Sequence, residues 1–348
     1  MRIAQVVINP NGGGAERVAS ILASNLQNSG LQSVVVSVDP SPEIWANQSC
    51  IILNKVRLPP FYRELAAAIS LRRFLAKNEV THLHAHCETS ELVASLAIIG
   101  RRRIKIFVTE HTDRPWNQHL MIGFLVRTYL RLRRVKFSNC SDFGEHWMQN
   151  GSVKFIPNYL RSDLPILEAA NTQNVGFLRI LIMQRLVGSK NVLEILNAAS
   201  RANFKGDVII VGDGYERPQL EKVATELCLR FTFYGYRANP WLLFRRGDLV
   251  VSASEYEGQP MAISEAIAMD APILLSNIPG HKFAVSKAWQ VFNSQEELVD
   301  RFQSLMQGTI SLSDLRSDSF FRDKFLEVRD PKVLTAEWMK FYNEVEVT

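Results

Sequence analysis

DLVVSASEYEGQPMAISEAIAMDAPILLS, residues 248–276, reads as one complete strand–helix–strand unit. DLVVSA (248–253) and PILLS (272–276) are short, apolar and β-branched. Between them GQPMAISEAIAMD opens a helix through Gly258 and Pro260. A helical crossover of this length joins two strands that run parallel. Two carboxylates punctuate the unit, Glu257 in the loop and Glu265 inside the helix. Glu265 is flanked by Ala262, Ile263, Ala266 and Ile267. A carboxylate in that setting is costly unless paired or hydrogen-bonded. Sugar or ribose hydroxyls are natural partners for it. The stretch Gly258, Gln259, Pro260 and Met261, at a helix N-terminus, suits a phosphate or a sugar oxygen.

Working outward, the same alternation surrounds the unit. RILIMQ (179–184), DVIIVG (207–212) and FTFYG (231–235) are strands, and KNVLEILNAASRA and YERPQLEKVATELC are helices. The first half repeats the pattern with RIAQVVI (2–8), SVVVSV (33–38), CIILN (50–54), VTHLHAH (80–86), KIFVTE (105–110), VKFSNC (135–140) and VKFIP (153–157). Such alternation implies an α/β class with two mostly parallel, doubly wound sheets. NYLRSDLPILEAANTQNVG (158–176) breaks the period, so a linker is expected at 166–177. It separates an N-terminal Rossmann-like domain (1–165) from a second (178–325), with a closing helix over 326–348. Ligands bind such sheets at the carboxyl ends of the strands, and two facing domains would make one cleft there.

Composition narrows the class. A length of 348 residues fits about two domains of ~150 residues. Cys50, Cys87, Cys140 and Cys228 are scattered without CxxC, which indicates neither a zinc site nor a disulfide framework. The chain enters a strand at once with no signal-peptide pattern, and no uncharged apolar run approaches the ~20 residues of a membrane span. A cytoplasmic protein is expected. Net charge is +5, concentrated in RRRIK (101–105) and RTYLRLRRVK (127–136). Arg127, Arg131 and Arg134 have the spacing of one helix face, either simply solvated or docking on an anionic membrane. No nucleic-acid motif accompanies the charge, so nucleic acid is not an expected partner.

NPNGGGAERVAS (9–20) places Gly12, Gly13 and Gly14 after a strand, yet it is neither GxGxxG nor followed by GK[ST]. Without that fingerprint and its distant acidic residue, a dinucleotide oxidoreductase is the weakest of the alternatives. HLHAHCE (82–88) alternates three histidines on one strand face. A strand end facing the cleft explains them better than a metal.

Taken together these stretches resemble the retaining GT-B glycosyltransferases of the GT4 family. The E-x7-E of Glu257 and Glu265 is similar to the family's motif. MQRLVGSKN (183–191) resembles its G-R-L…K-G element, VIIVGDGYERPQLE its G-x-G segment, FYGYRANPWL its F-x-G element and APILLSNIPG its P-V-I-x-S…G-G element. NGGGAER, TEH and IPN match elements of the first half. Gln184, Ser189, Tyr159 and the single Gly280 depart from the usual glycine pattern.

The resemblance implies a two-domain GT-B fold and sugar transfer from a nucleotide-diphosphate sugar, UDP by family frequency. It implies that Arg185 and Lys190 clamp the leaving diphosphate, with no metal or other cofactor. Glu265 would hold ribose and Glu257 the donor sugar. Gly13, Gly14, Gly235, Tyr236 and Gly258 to Met261 would complete the donor site. His111 would contact the sugar near the reacting carbon. Gly12, Glu16, His86, Asp113 and Arg114 are acceptor-side candidates. A saccharide acceptor on a lipid carrier, or a lipopolysaccharide intermediate, fits the basic first half, with the protein peripheral on the inner face of the cytoplasmic membrane. A nucleotide-sugar epimerase and a non-catalytic GT-B scaffold are the alternatives; the intact Arg185, Lys190, Glu257 and Glu265 argue against both. In DPKVLTAEWMKFYNEVEV (330–347), Leu334, Trp338, Phe341 and Val345 have helical spacing. The family's last helix returns to the first domain; a helix that simply caps the second is the alternative.

Overall fold

The computed structural model describes residues 1–9, 13–40, 50–54, 56, 58–112, 114–141, 153–165 and 178–344. Gly12, Asp113, Val345 and the linker at 166–177 lie outside the described residues. The chain divides into two compact units, Met1–Tyr159 with Val328–Thr348, and Leu160–Glu327.

Among the described residues of the first unit, β1 (Arg2–Val7), β2 (Gln32–Ser37), β3 (Cys50–Ile52), β4 (His82–His86), β5 (Lys105–Glu110), β6 (Lys136–Asn139) and β7 (Lys154–Phe155) form one parallel sheet. Its order is β3-β2-β1-β4-β5-β6-β7, reversing direction between β1 and β4. The helices are α1 (Gly14–Asn28), α2 (Tyr62–Lys77), α3 (Glu88–Ala97) and α4 (Leu120–Leu132). Helices cover both faces, so the central strands are buried on both and read as unbroken apolar runs. Val6, Leu83 and Val108 pack with Leu71, Val93 and Val126. Gln5, His84 and His86 interrupt those runs while remaining buried.

The second unit repeats the architecture. Here β8 (Arg179–Met183), β9 (Asp207–Val211), β10 (Arg230–Gly235), β11 (Asp248–Ser252), β12 (Ile273–Ser276) and β13 (Val291–Phe292) run parallel in the order β10-β9-β8-β11-β12-β13. The order reverses between β8 and β11. Its helices are α5 (Val192–Arg201), α6 (Arg217–Glu226), α7 (Met261–Ala268), α8 (Gln295–Gln307) and α9 (Ser319–Val328). At the amino ends of β8 and β11, Arg179 Nε meets Asp248 Oδ1 at 2.9 Å. Burial pushes the Asp248 carboxyl up to about 6.

The last helix, α10 (Pro331–Asn343), belongs to the first unit. Asp330 caps it, accepting from the Lys332 amide at 2.8 Å. Leu334, Trp338, Phe341 and Tyr342 pack against Ile3, Leu22, Leu26 and Phe107. Each such buried side chain contributes ~1.5–3 kcal/mol, enough to hold a short terminal helix in place.

Helix α4 corrects the expected basic face. Arg127 is only 1% exposed, because Gly123, Val126, Arg127 and Leu130 form the inward side of the helix. A buried guanidinium needs partners. Its Nε meets Glu91 Oε1 at 2.5 Å, and its Nη1 donates to Glu110 Oε1 at 2.8 Å. Arg134 is exposed and Arg131 half-buried. The outward side is instead apolar: Met121, Phe124, Leu125 and Leu132 are all more than half exposed.

Candidate active site

In the second unit the candidate residues gather at the carboxyl ends of β8 and β11, where the strand order reverses. That is where open α/β sheets bind ligands. Lys190 ends a short 3-10 turn (Gly188–Lys190) after β8, and Glu257 lies in the loop between β11 and α7. The Lys190 ammonium donates to Glu257 Oε1, and Ser254 Oγ donates to the same oxygen at 3.0 Å. Lys190 is buried and Glu257 half-buried. Arg185 is exposed, and its guanidinium has no partner among the described residues.

The loops carrying these groups are fixed by backbone contact. A Cβ on Gly280 would lie 2.1 Å from the Glu257 carbonyl oxygen, so only glycine lets the turn after β12 seat against that loop. A Cβ on Gly212 would fall 1.8 Å from the Gln184 carbonyl oxygen. Gln184 stands where the family usually has glycine, and its amide takes up a bracing role. Its Nε2 donates to the Lys190 carbonyl at 3.0 Å, and its Oε1 accepts from Ser252 Oγ at 3.4 Å.

Glu265 faces inward from α7 and is 2% exposed. Trp241 Nε1 donates to its Oε2 at 2.5 Å. Arg161 lies near enough for its charge to be stabilised by Glu265, after the larger effects of burial and its bonds to Asp163. Tyr236 also acts on Arg161, so Glu265, Trp241, Arg161 and Tyr236 form one neighbourhood. Gly235 holds φ +68°, and its carbonyl accepts from the Gly212 amide at 2.9 Å. Pro260 precedes α7 with extended backbone, and Gly258 and Gln259 before it are buried. Met261 begins the first turn, whose amides have no partner within the helix.

Sequence reasoning missed Trp241, Arg161 and His281. His281 is fully buried; its Nδ1–H donates to the Ser276 carbonyl at 2.9 Å, leaving Nε2 toward Ser252 Oγ at 3.5 Å. Burial lowers its pKa. Only Trp241 had a signal, inside FYGYRANPWL.

In the first unit, Gly13 caps α1 and its amide donates to Glu16 Oε2 at 2.8 Å. Glu16 therefore turns back onto the helix start, and Gly14 is the first helical residue. His111 follows β5 and is half-buried, with Nε2 3.0 Å from His86 Nδ1. His86 is 1% exposed and lies behind His111. Burial lowers both imidazoles, His111 to about 4 and His86 well below its ordinary value. Arg114 is exposed on the loop after His111. That loop is anchored by Trp116, whose backbone amide donates to Glu88 and whose indole donates to Glu91 Oε2 at 3.1 Å. Among the described residues no cluster of metal-ligating side chains occurs, and no helix is long and apolar enough to cross a membrane.

Two parallel doubly wound sheets, the second with a cation–carboxylate cluster at its switch point, define a GT-B architecture. The family model "Glycosyl transferases group 1" matches residues 166–318, and "Glycosyltransferase Family 4" matches 12–152. The chain belongs to this family of glycosyltransferases. A Campylobacter jejuni α-1,4-N-acetyl-D-galactosaminyltransferase, whose name gives a diphospho-undecaprenol-linked acceptor, is 22% identical over 289 residues, 77% of each chain. The Escherichia coli lipopolysaccharide 1,6-galactosyltransferase is 30% identical over 93 residues, 25% of this chain and 26% of its own. Among solved structures, sucrose-phosphate synthase from Thermosynechococcus elongatus is 17% identical with a TM-score of 0.81 over 98% of both chains. Anabaena HepE in complex with UDP and glucose is 17% identical with a TM-score of 0.77, over 99% of this chain and all of that one.

Proposed function

We propose that the chain is a retaining, UDP-sugar-dependent glycosyltransferase that extends a saccharide on a lipid carrier or lipopolysaccharide intermediate at the inner face of the cytoplasmic membrane. The observation that carries this reading is the Lys190–Glu257 pair at the carboxyl ends of β8 and β11, with exposed Arg185 on the same segment after β8 as Lys190. Departure of the nucleoside diphosphate places new negative charge on its outer phosphate. Preorganised cations stabilise such charge in the transition state. Lys190 and Arg185 serve that purpose without a metal ion. Glu257, held by Lys190 and Ser254, accepts hydrogen bonds from donor sugar hydroxyls. Glu265, oriented by Trp241, accepts from the ribose. The acceptor attacks from the face the leaving group vacates, which preserves the anomeric configuration.

The acceptor class rests on the names of the Campylobacter and Escherichia relatives and on the apolar outward side of α4. Met121, Phe124, Leu125 and Leu132 form a face suited to the lipid boundary, and Arg131 and Arg134 supply the attraction to anionic headgroups.

The test offers the protein a panel of UDP-, GDP- and ADP-sugars with a lipid-linked saccharide acceptor, in chelator and with added Mg²⁺. Transfer from a UDP-sugar, unchanged by chelator and giving a product with the donor's anomeric configuration, is expected. An inverted product refutes the retaining course, strict dependence on Mg²⁺ refutes the cation clamp, and thermal stabilisation by none of the nucleotides refutes the donor site.

A further inference from the structure

One set of buried polar residues in the first unit forms a hydrogen-bonded chain that ends on His111. Its centre is Gln5, in the middle of β1 and fully buried. Gln5 Nε2 donates to the Tyr342 hydroxyl at 3.1 Å. Tyr342 comes from α10, 337 residues away in sequence. With the Gln5 amide this way round, the one phenol proton goes from Tyr342 to His84 Nδ1, 2.7 Å away. His84 then carries its own proton on Nε2 and donates to Thr109 Oγ1 at 2.6 Å. Thr109 passes its proton on to Ser138 Oγ at 2.7 Å.

The other side of Gln5 leads to His111. Gln5 Oε1 has only lone pairs, so the His86 Nε2 lying 2.9 Å away must carry the proton. His86 Nδ1 is then bare and accepts from His111 Nε2–H at 3.0 Å. Burial lowers the pKa of all three imidazoles and raises that of the Tyr342 hydroxyl, so each ring holds a single proton near neutral pH. One amide orientation thus propagates through the whole chain.

We propose that Gln5 and Tyr342 are positioning residues that place the His111 proton on Nε2 and leave Nδ1 as a bare acceptor. His111 Nδ1 has no partner among the described residues. A bare nitrogen there takes a hydroxyl hydrogen and repels a phosphate oxygen. It therefore selects a sugar hydroxyl rather than the diphosphate. Turning the Gln5 amide over would invert every proton from His86 outward and make His111 Nδ1 a donor. Tyr342 holds the amide through the hydrogen bond its hydroxyl accepts from Gln5 Nε2, so losing the hydroxyl frees the amide to turn. The consequence for turnover rests on the proposed transfer reaction; the proton's place does not.

The test is a long-range ¹H–¹⁵N correlation spectrum of the full chain with ¹⁵N-histidine at pH 7.5, with the His111 ring assigned by its loss in His111→Asn. The wild type is expected to show the proton on Nε2 of His111. Tyr342→Phe and Gln5→Met are each expected to give a mixture of the two tautomers, while the His281 ring, in the second unit, keeps its signal. In transfer assays the same variants lower kcat roughly two- to tenfold, the worth of one neutral hydrogen bond. A wild-type proton on Nδ1 overturns the proposal even if neither variant folds. So does an unchanged His111 tautomer in folded Tyr342→Phe and Gln5→Met. If no sugar is transferred at all while the tautomers behave as stated, the proposed function fails and the assignment of Gln5 and Tyr342 stands.

Discussion

Lowering the pH from 7 to 5 is expected to open the first unit well before the second. His82, His84, His86 and His111 all lie in the first unit, and burial lowers each: His82 and His111 to about 4, the other two well below the ordinary value. An imidazole whose folded pKa lies below its unfolded value stabilises the fold fully above about pH 6.5. That contribution is lost as pH falls toward the folded pKa, because the unfolded chain binds the proton first. Between pH 7 and 5 His82 and His111 each lose about 2 kcal/mol, roughly 4 kcal/mol together, and His84 and His86 add a loss of the same sign. Glu91 opposes them, since burial raises its carboxyl to about 7. A raised carboxyl stabilises below its unfolded pKa, so acid returns about 2 kcal/mol. His82 and His111 less Glu91 leave a loss of roughly 2 kcal/mol before His84 and His86 add theirs, a large fraction of a domain's stability. In the second unit burial lowers His281 but raises Asp248 and Glu194, and these effects oppose one another. Hydrogen exchange read by mass spectrometry, corrected for intrinsic rates, follows each unit separately. Peptides from β1, β4 and β5 should lose most of their protection at pH 5 while those from β8 and β11 keep theirs. A loss below about 2 kcal/mol in the first unit, or earlier opening of the second, refutes the reasoning.

Three further outcomes follow from the site and its surroundings. Lys190→Ala and Glu265→Ala should each lower kcat by roughly 10²–10³ with circular dichroism unchanged; near-normal turnover in either removes its assigned role. Gly280→Ala drives a Cβ to 2.1 Å from the Glu257 carbonyl oxygen and 2.8 Å from the Glu257 Cβ. Overpacking of that kind costs about 1–3 kcal/mol, so thermal unfolding should shift down and transfer should fall with it; an unchanged Tm and rate would show that the turn yields freely. In flotation with anionic vesicles, the paired changes Arg131→Glu with Arg134→Glu should weaken binding at least about tenfold, at ~1 kcal/mol per charge. Phe124→Ser with Leu125→Ser should weaken it further, and binding indifferent to both pairs defeats the docking face.

How far the sequence carried depends on whether the deciding contact is local. Central parallel strands are buried on both faces, so runs such as Ile180–Met183 and Val208–Val211 announce themselves without reference to anything distant. The Glu257–Glu265 element was equally legible, because loop, helix start and inward carboxylate fall within one strand–helix–strand unit. Two-residue β13 is too short to carry a period, and it was not anticipated. Arg127 marks the harder limit. Its spacing with Arg131 and Arg134 gives the phase of a helix but not which side meets the sheet. Glu91 and Glu110, 36 and 17 residues earlier, decide that. The alternating histidines of β4 mark the same limit. Their strand and common face could be read, but their partners are Gln5 on β1 and Tyr342 on the last helix. A histidine at the end of a strand is an acceptor, a donor or a cation depending on those partners. The residue type therefore located His111, while its chemistry is set by a hydrogen-bonded chain spanning nearly the whole sequence.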